Sequence, residues 1–178
     1  INFRNNVNFQ EIKMYQLNDF AHRADLDNAL ASNVAELLSS AINQKGKASL
    51  AVSGGSTPKG FFTALSKKDI DWQSVTVTLA DERWVDFESD ASNTRLVHEN
   101  LLKNKASAAS FFHLKKEGEC NKETLTQLNC DAKDNLLPLD VLILGMGEDG
   151  HTASLFPCSE QINVALALDN SDALMKVV

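Results

Sequence analysis

The chain has 178 residues, 43% of them hydrophobic and 23% charged, with a formal net charge of −7 and a pI near 5.0. That length suits one domain that buries enough apolar surface to fold without disulfides or a metal. The acidic balance argues against a nucleic-acid-binding protein, which needs a basic face for phosphates, but leaves room for a small anion held by a few N–H donors and one or two cations.

Residues 1–11 carry little pattern, and residues 1–25 lack the apolar core of a signal peptide. No run approaches the ~18 apolar residues of a membrane span. Ala24 to about Gln44 places Leu26, Leu30, Val34, Leu37, Leu38, Ala41 and Ile42 at the spacing of an amphipathic helix, with Gly46 as its stop. Ala48 to Val52 reads as a short strand running into Ser53-Gly54-Gly55-Ser56-Thr57-Pro58. A second helix then presents Phe61, Phe62 and Leu65, with Thr57 as N-cap and Pro58 at its first position. Val75 to Asp81 is strand-like and ends in Asp81-Glu82-Arg83-Trp84. Helices are expected from Ala91 to about Lys103 and between Lys122 and Leu136. The apolar run from Asp140 to Gly145 predicts a central parallel strand covered on both faces. It leads into Gly145-Met146-Gly147-Glu148-Asp149-Gly150-His151.

The alternation gives an α/β fold with a mostly parallel sheet and helices on both faces, as one domain over 1–178. Ligands of such sheets bind at the carboxyl ends of the strands. Three polar or glycine-rich segments therefore converge on one cleft: Gly54–Thr57, Asp81–Arg83 and Asp149–His151. In the first, glycines let backbone N–H groups approach an anion, and the following helix adds free N–H groups and its dipole. A phosphate cradle and a plain strand-to-helix turn both fit that segment, although the spacing of a Walker A loop is absent. Arg83 suits bidentate grip of a phosphate, or else a surface ion pair. His151 is the best general base in the chain, since an unperturbed imidazole titrates near 6.5, and Asp149 is placed to orient it. His22, His98 and His113 read as ordinary surface or helix residues. No Gly-x-Ser-x-Gly elbow occurs. Cys120, Cys130 and Cys158 are odd in number and form no Cys-x-x-Cys pair, so they read as reduced thiols in a cytoplasmic protein.

The motifs Gly54-Gly55-Ser56-Thr57-Pro58, Asp81-Glu82-Arg83-Trp84, Ser92-Asn93 and Gly145 through Pro157, in that order, resemble the 6-phosphogluconolactonase family. The last motif is long and specific. The resemblance implies a modified Rossmann arrangement shared with the glucosamine-6-phosphate deaminases. Those relatives usually carry Asp-Glu-Tyr where this chain has Asp81-Glu82-Arg83, and Ile-Ala-Phe-Asn-Glu where it has Thr152 to Phe156, so the acid/base carboxylate of the deaminases is missing. Cys158 stands where the lactonases commonly have glycine, an expected change to that turn.

What the resemblance implies is hydrolysis of 6-phosphoglucono-1,5-lactone, with no cofactor and no metal. His151 and Asp149 would be catalytic. Gly54, Gly55, Ser56, Thr57, Asp81, Arg83 and Asn93 would bind phosphate or sugar hydroxyls, with Lys59 assisting. The alternatives are an amino-sugar-phosphate deaminase/isomerase and a non-catalytic sugar-phosphate-binding regulator. The only expected partner is the phosphorylated sugar lactone, with no nucleic acid or membrane; no oligomer is predicted. The family normally continues through further strands and helices bearing another Arg and a Lys, so the chain is expected to lack a C-terminal part.

Overall fold

The computed structural model describes residues 16–167 and 169–177; the opening stretch 1–11 lies outside them. Helix α1, Arg23–Lys45, ends where predicted, at Gly46, which adopts a left-handed conformation (φ 76°) and donates its N–H to the Ile42 carbonyl at 2.7 Å. Its buried stripe is Asp27, Ala31, Val34, Ala35 and Leu38, whereas Leu37 faces solvent. Asp27 occupies an apolar position because Arg23 pairs with it at 3.0 Å and Gly60 leaves space for its carboxylate.

Strand β1, Ala48–Val52, is wholly buried. The second helix, α2, spans Lys59–Leu65 and buries Phe61, Phe62 and Leu65 as expected. Its N-cap is Pro58, in helical conformation and without a side-chain cap bond, so Thr57 does not cap it. Strand β2, Val75–Leu79, stops two residues short of the expected Asp81, which leaves 80–84 free as a loop. Helix α3, Asn93–Asn100, is capped by Ser92, whose Oγ accepts from the Arg95 N–H at 3.1 Å. Strand β3, Ser110–Phe111, was not foreseen: two residues are too few to show a period. Helix α4, Lys122–Asn135, strand β4, Val141–Ile143, and the short helix α5, Ile162–Ala165, complete the order.

The described strands form one sheet in the order β3-β2-β1-β4, with every pairing parallel. Period-2 alternation sends Leu50, Val52, Val77, Leu79, Val141 and Ile143 to a core shared with α1, α2 and α3. The opposite face carries Ala51, Thr78 and Leu142, which share a groove with Leu128 and Ala132 of α4, so helices lie on both faces. The expected central strand is instead the last strand of the described sheet, and Leu142 and Leu144 are about half exposed. Its apolar run reads as doubly covered because sequence shows hydrophobicity and not neighbours. Asp140 pins its start: the carboxylate accepts from the Ser49 N–H at 2.8 Å and pairs with Lys45 at 2.7 Å. Burial pushes its pKa up, but these partners outweigh it and leave the group below the usual carboxylate value. Among the described residues no helix is long and apolar enough to cross a membrane, and all three cysteines are unpaired.

His98, in α3, and His113, exposed after β3, fit the expectation of surface or helix residues, but they also join a ring cluster that the sequence did not announce. Their rings stack at 6.2 Å and both pack edge-on against Phe111, at 5.1 and 4.8 Å. His98 Nε2 is buried without a hydrogen-bond partner. Burial lowers both pKa values, reinforced at His98 by His113 and at His113 by Lys116. The unfolded chain therefore binds these protons first as pH falls, so the neutral pair stabilises the fold above the unfolded value of about 6.5 and that contribution fades below it. Melting temperature is expected to drop between about pH 7.5 and about pH 5.5, and His98→Phe is expected to flatten that slope. An equal slope in the variant would assign it to other groups.

Candidate functional site at the carboxyl ends of the strands

The loops after β1, β2 and β4 are linked through a continuous set of contacts. Gly54 follows β1 and packs against the Asn93 side chain so closely that a Cβ there would overlap Asn93 Oδ1 and lie 2.6 Å from Nδ2. Asn93 Nδ2 donates to the Asp81 carbonyl at 2.9 Å. The Asp81 carboxylate accepts from Ser154 Oγ at 2.6 Å. Ser154 belongs to the His151 loop after β4. Three chain segments are thus joined where adjacent parallel strands end, as expected of the ligand edge of such a sheet.

In the His151 loop, Nδ1 of the ring is in a short hydrogen bond with Asp149 Oδ1. That bond, and one from the His151 backbone N–H, hold the Asp149 carboxyl below its usual range. An ionised carboxylate there makes Nδ1 the protonated nitrogen, which leaves Nε2 as the acceptor. Gly147 is required by this pair: a Cβ on it would overlap Cε1 and Nδ1 of the ring and stand 2.9 Å from Asp149 Oδ1. The loop is braced by the Gly147 N–H to the His151 carbonyl at 2.8 Å and by Thr152 Oγ1 to the Gly145 carbonyl at 2.7 Å. Phe156 packs on the imidazole at 4.8 Å between centroids.

Gly55, Ser56 and Thr57 are exposed on the loop after β1. Among the described residues the Ser56 and Thr57 hydroxyls have no hydrogen-bond partner; the Thr57 carbonyl is taken by Arg23 of α1. Arg83 is exposed and commits Nη1 to the Ala91 carbonyl at 2.8 Å. Asp81, Glu82 and Arg83 share a groove of about 720 Å³ with Thr152 to Phe156, over an apolar floor that includes Leu128, Leu142 and Leu144. Gly54–Thr57 and His151 lie outside its lining. The Asp81 carboxylate points to Ser154, so its direct ties are to the protein frame.

Sequence reasoning missed several framing residues. Glu82 accepts from the Asn93 N–H at 2.9 Å, the Thr94 N–H at 2.7 Å and Thr94 Oγ1 at 2.6 Å, satisfying the first amides of α3. Ser53 Oγ donates to the Ile143 carbonyl at 3.1 Å and clasps the ends of β1 and β4. Neither these ties nor the Ser154 bond leaves a sequence signal, because their partners lie far apart in the chain. Ser92 caps α3 one residue inside the helix expected from Ala91; a serine before a helical run is the N-cap signal that could have placed that start.

The parallel sheet with a His–Asp pair and hydroxyl-bearing loops at its carboxyl edge is an α/β architecture of the kind that takes ligands at that edge. The family profile described as glucosamine-6-phosphate isomerases/6-phosphogluconolactonase matches residues 21–177, and the chain belongs to that family. A 6-phosphogluconolactonase of Rhizobium meliloti (strain 1021) is 48% identical over 147 residues, 83% of this chain and 63% of that protein. One from Neisseria meningitidis serogroup A is 46% identical over 159 residues, 86% of this chain and 67% of that protein. The crystal structure of a 6-phosphogluconolactonase from Shewanella baltica OS155 superposes with a TM-score of 0.80 at 47% identity, covering 84% of this chain and 64% of that one. The chain therefore spans about two thirds of the length of these relatives.

Proposed function

We propose that the protein carrying this chain hydrolyses 6-phosphoglucono-1,5-lactone to 6-phosphogluconate. The observation that carries the reading is the His151–Asp149 pair, with Nε2 left as the proton acceptor, on a loop tied to Asp81. The names of the relatives at 46–48% identity support the choice of substrate. Nε2 takes a proton from water as its oxygen bonds to the lactone carbonyl carbon. The tetrahedral oxyanion then collapses, the bond from that carbon to the ring oxygen breaks, and the imidazolium returns its proton to the departing oxygen. The carboxylic acid formed ionises and releases one proton to solvent. Asp149 holds the tautomer and stabilises the imidazolium, much as a carboxylate does for the histidine of a catalytic triad. The exposed hydroxyls of Ser56 and Thr57, the backbone at Gly54 and Gly55, and the guanidinium of Arg83 bind the phosphate and sugar hydroxyls. Asp81 and Asn93 frame that surface. A cytoplasmic location fits the three unpaired thiols.

Arg83→Ala is expected to weaken binding of the phosphorylated lactone by roughly 10- to 100-fold, the cost of losing a charged hydrogen-bonding partner. The comparison is with unphosphorylated gluconolactone, whose slow turnover should hardly change. Equal losses on both substrates would move Arg83 away from the phosphate. Glucosamine 6-phosphate supplies the second arm of the test: ammonia release from it, without acid release from the lactone, would replace this reading by the deaminase one.

A further inference from the structure

We infer that Ser154 is a positioning residue that sets the place of His151 by latching its loop to Asp81; the inference rests on the proposed role of His151 as general base. The loop after β4 is braced mostly against itself. The Gly147 N–H meets the His151 carbonyl, the Gly150 N–H meets the Gly147 carbonyl at 3.0 Å, and Thr152 Oγ1 returns to Gly145. Such a loop keeps its shape but is free to move as a unit about its ends. Among the described residues, apart from the long Gly145 N–H to Ser53 Oγ contact (3.4 Å) at the loop's base, the Ser154 Oγ–Asp81 bond is the one hydrogen bond involving a side chain from this loop to another loop. It is short, part-buried and made to a carboxylate, the acceptor class that gives the stronger hydrogen bonds.

The backbone is bent to make it. Ala153 sits at φ 49°, a left-handed conformation that residues with a Cβ seldom adopt. Around it, the Leu155 N–H closes a turn on the Thr152 carbonyl at 3.0 Å. A non-glycine residue held there by its surroundings marks a site where geometry is enforced. The strained turn delivers Ser154 to Asp81 three residues beyond His151. Asp81 is itself fixed by Asn93, which packs on Gly54. The latch thus sets the distance between the base and the loops proposed to hold the substrate. Small misplacements of a reacting group are costly in rate and cheap in binding.

The test is kinetic with a spectroscopic arm. Ser154→Ala is expected to lower kcat for the lactone about 10- to 100-fold, with KM within about two-fold, and Ser154→Thr, which keeps the hydroxyl, is expected to restore most of it. In a His151→Ala background the same Ser154→Ala change is expected to cost almost nothing further, because a residue acting through His151 has nothing left to position. A loss confined to KM, or a full loss persisting without His151, would overturn the inference. The ¹H–¹⁵N resonances of the His151 imidazole read the latch without turnover: they should shift or broaden in Ser154→Ala and return in Ser154→Thr. Unchanged resonances in Ser154→Ala would overturn it even if the parent showed no lactonase activity, an outcome that would by itself refute only the functional reading.

Discussion

Replacing His151 with alanine is expected to lower kcat by about 10²–10⁴-fold, the usual contribution of a positioned general base. Alanine removes the Nε2 acceptor and leaves the Asp149 carboxylate without the ring that it orients. Little of the cost should fall on binding, since the residues proposed to hold phosphate sit on the loops after β1 and β2. Affinity for 6-phosphogluconate, measured by calorimetry, should therefore stay within a few-fold of the parent. The ring is about one-third exposed and its aromatic neighbour is Phe156, itself exposed, so the fold should survive. Turnover near that of the parent would remove His151 from the mechanism.

Gly147→Ala is expected to lower kcat about 10²-fold, although the residue carries no chemical group, because shifting a catalytic group by an ångström has that order of effect. The new methyl would occupy the space of the His151 ring and touch Asp149, and both must move to admit it. Gly145 provides the control. A Cβ there meets nothing within 4 Å, so Gly145→Ala should lose far less. The pair separates a steric demand from a general intolerance of alanine in the loop. If both variants keep full rate, the closeness of Gly147 to the ring has no functional weight. If both lose alike, the loop backbone and not the overlap is responsible.

Much of the architecture was legible because it rests on local rules. Ala48–Val52 reads as a strand from a short, largely apolar segment stopped by glycines, and Gly46 reads as a helix end because a left-handed residue is needed there. The buried face of α2 was legible for the same reason. The place of β4 in the sheet was not, since an apolar run does not say which strands flank it. Strand β3 is too short for a pattern. Leu37 looked like core by spacing but falls outside the buried stripe of α1, and Asp27 joins that stripe because Gly60, some thirty residues on, leaves room for its carboxylate.

The site divided in the same way. The pairing of Asp149 with His151 was legible from their spacing. The contacts that frame them were not, because Ser154 to Asp81 and Asn93 to Gly54 join segments separated by tens of residues and carry no periodic signal. Glu82 is the clearest case. Read as one letter of an acidic-basic cluster, it proves to be the acceptor that closes the first turn of α3. The histidines set aside as ordinary surface or helix residues form an aromatic cluster because a two-residue strand that no pattern announced brings Phe111 and His113 beside α3.

The protein is proposed to accelerate opening of a phosphorylated sugar lactone, a reaction that also proceeds unaided in water. The most direct test of that proposal is a time course of ¹³C NMR spectra of freshly generated 6-phosphoglucono-1,5-lactone, with and without the protein at neutral pH. The lactone carbonyl signal is expected to disappear many times faster with protein, with 6-phosphogluconate as the sole product, and His151→Ala is expected to return the decay close to the buffer rate. Decay of the lactone at the same rate with and without the parent protein would contradict the proposal.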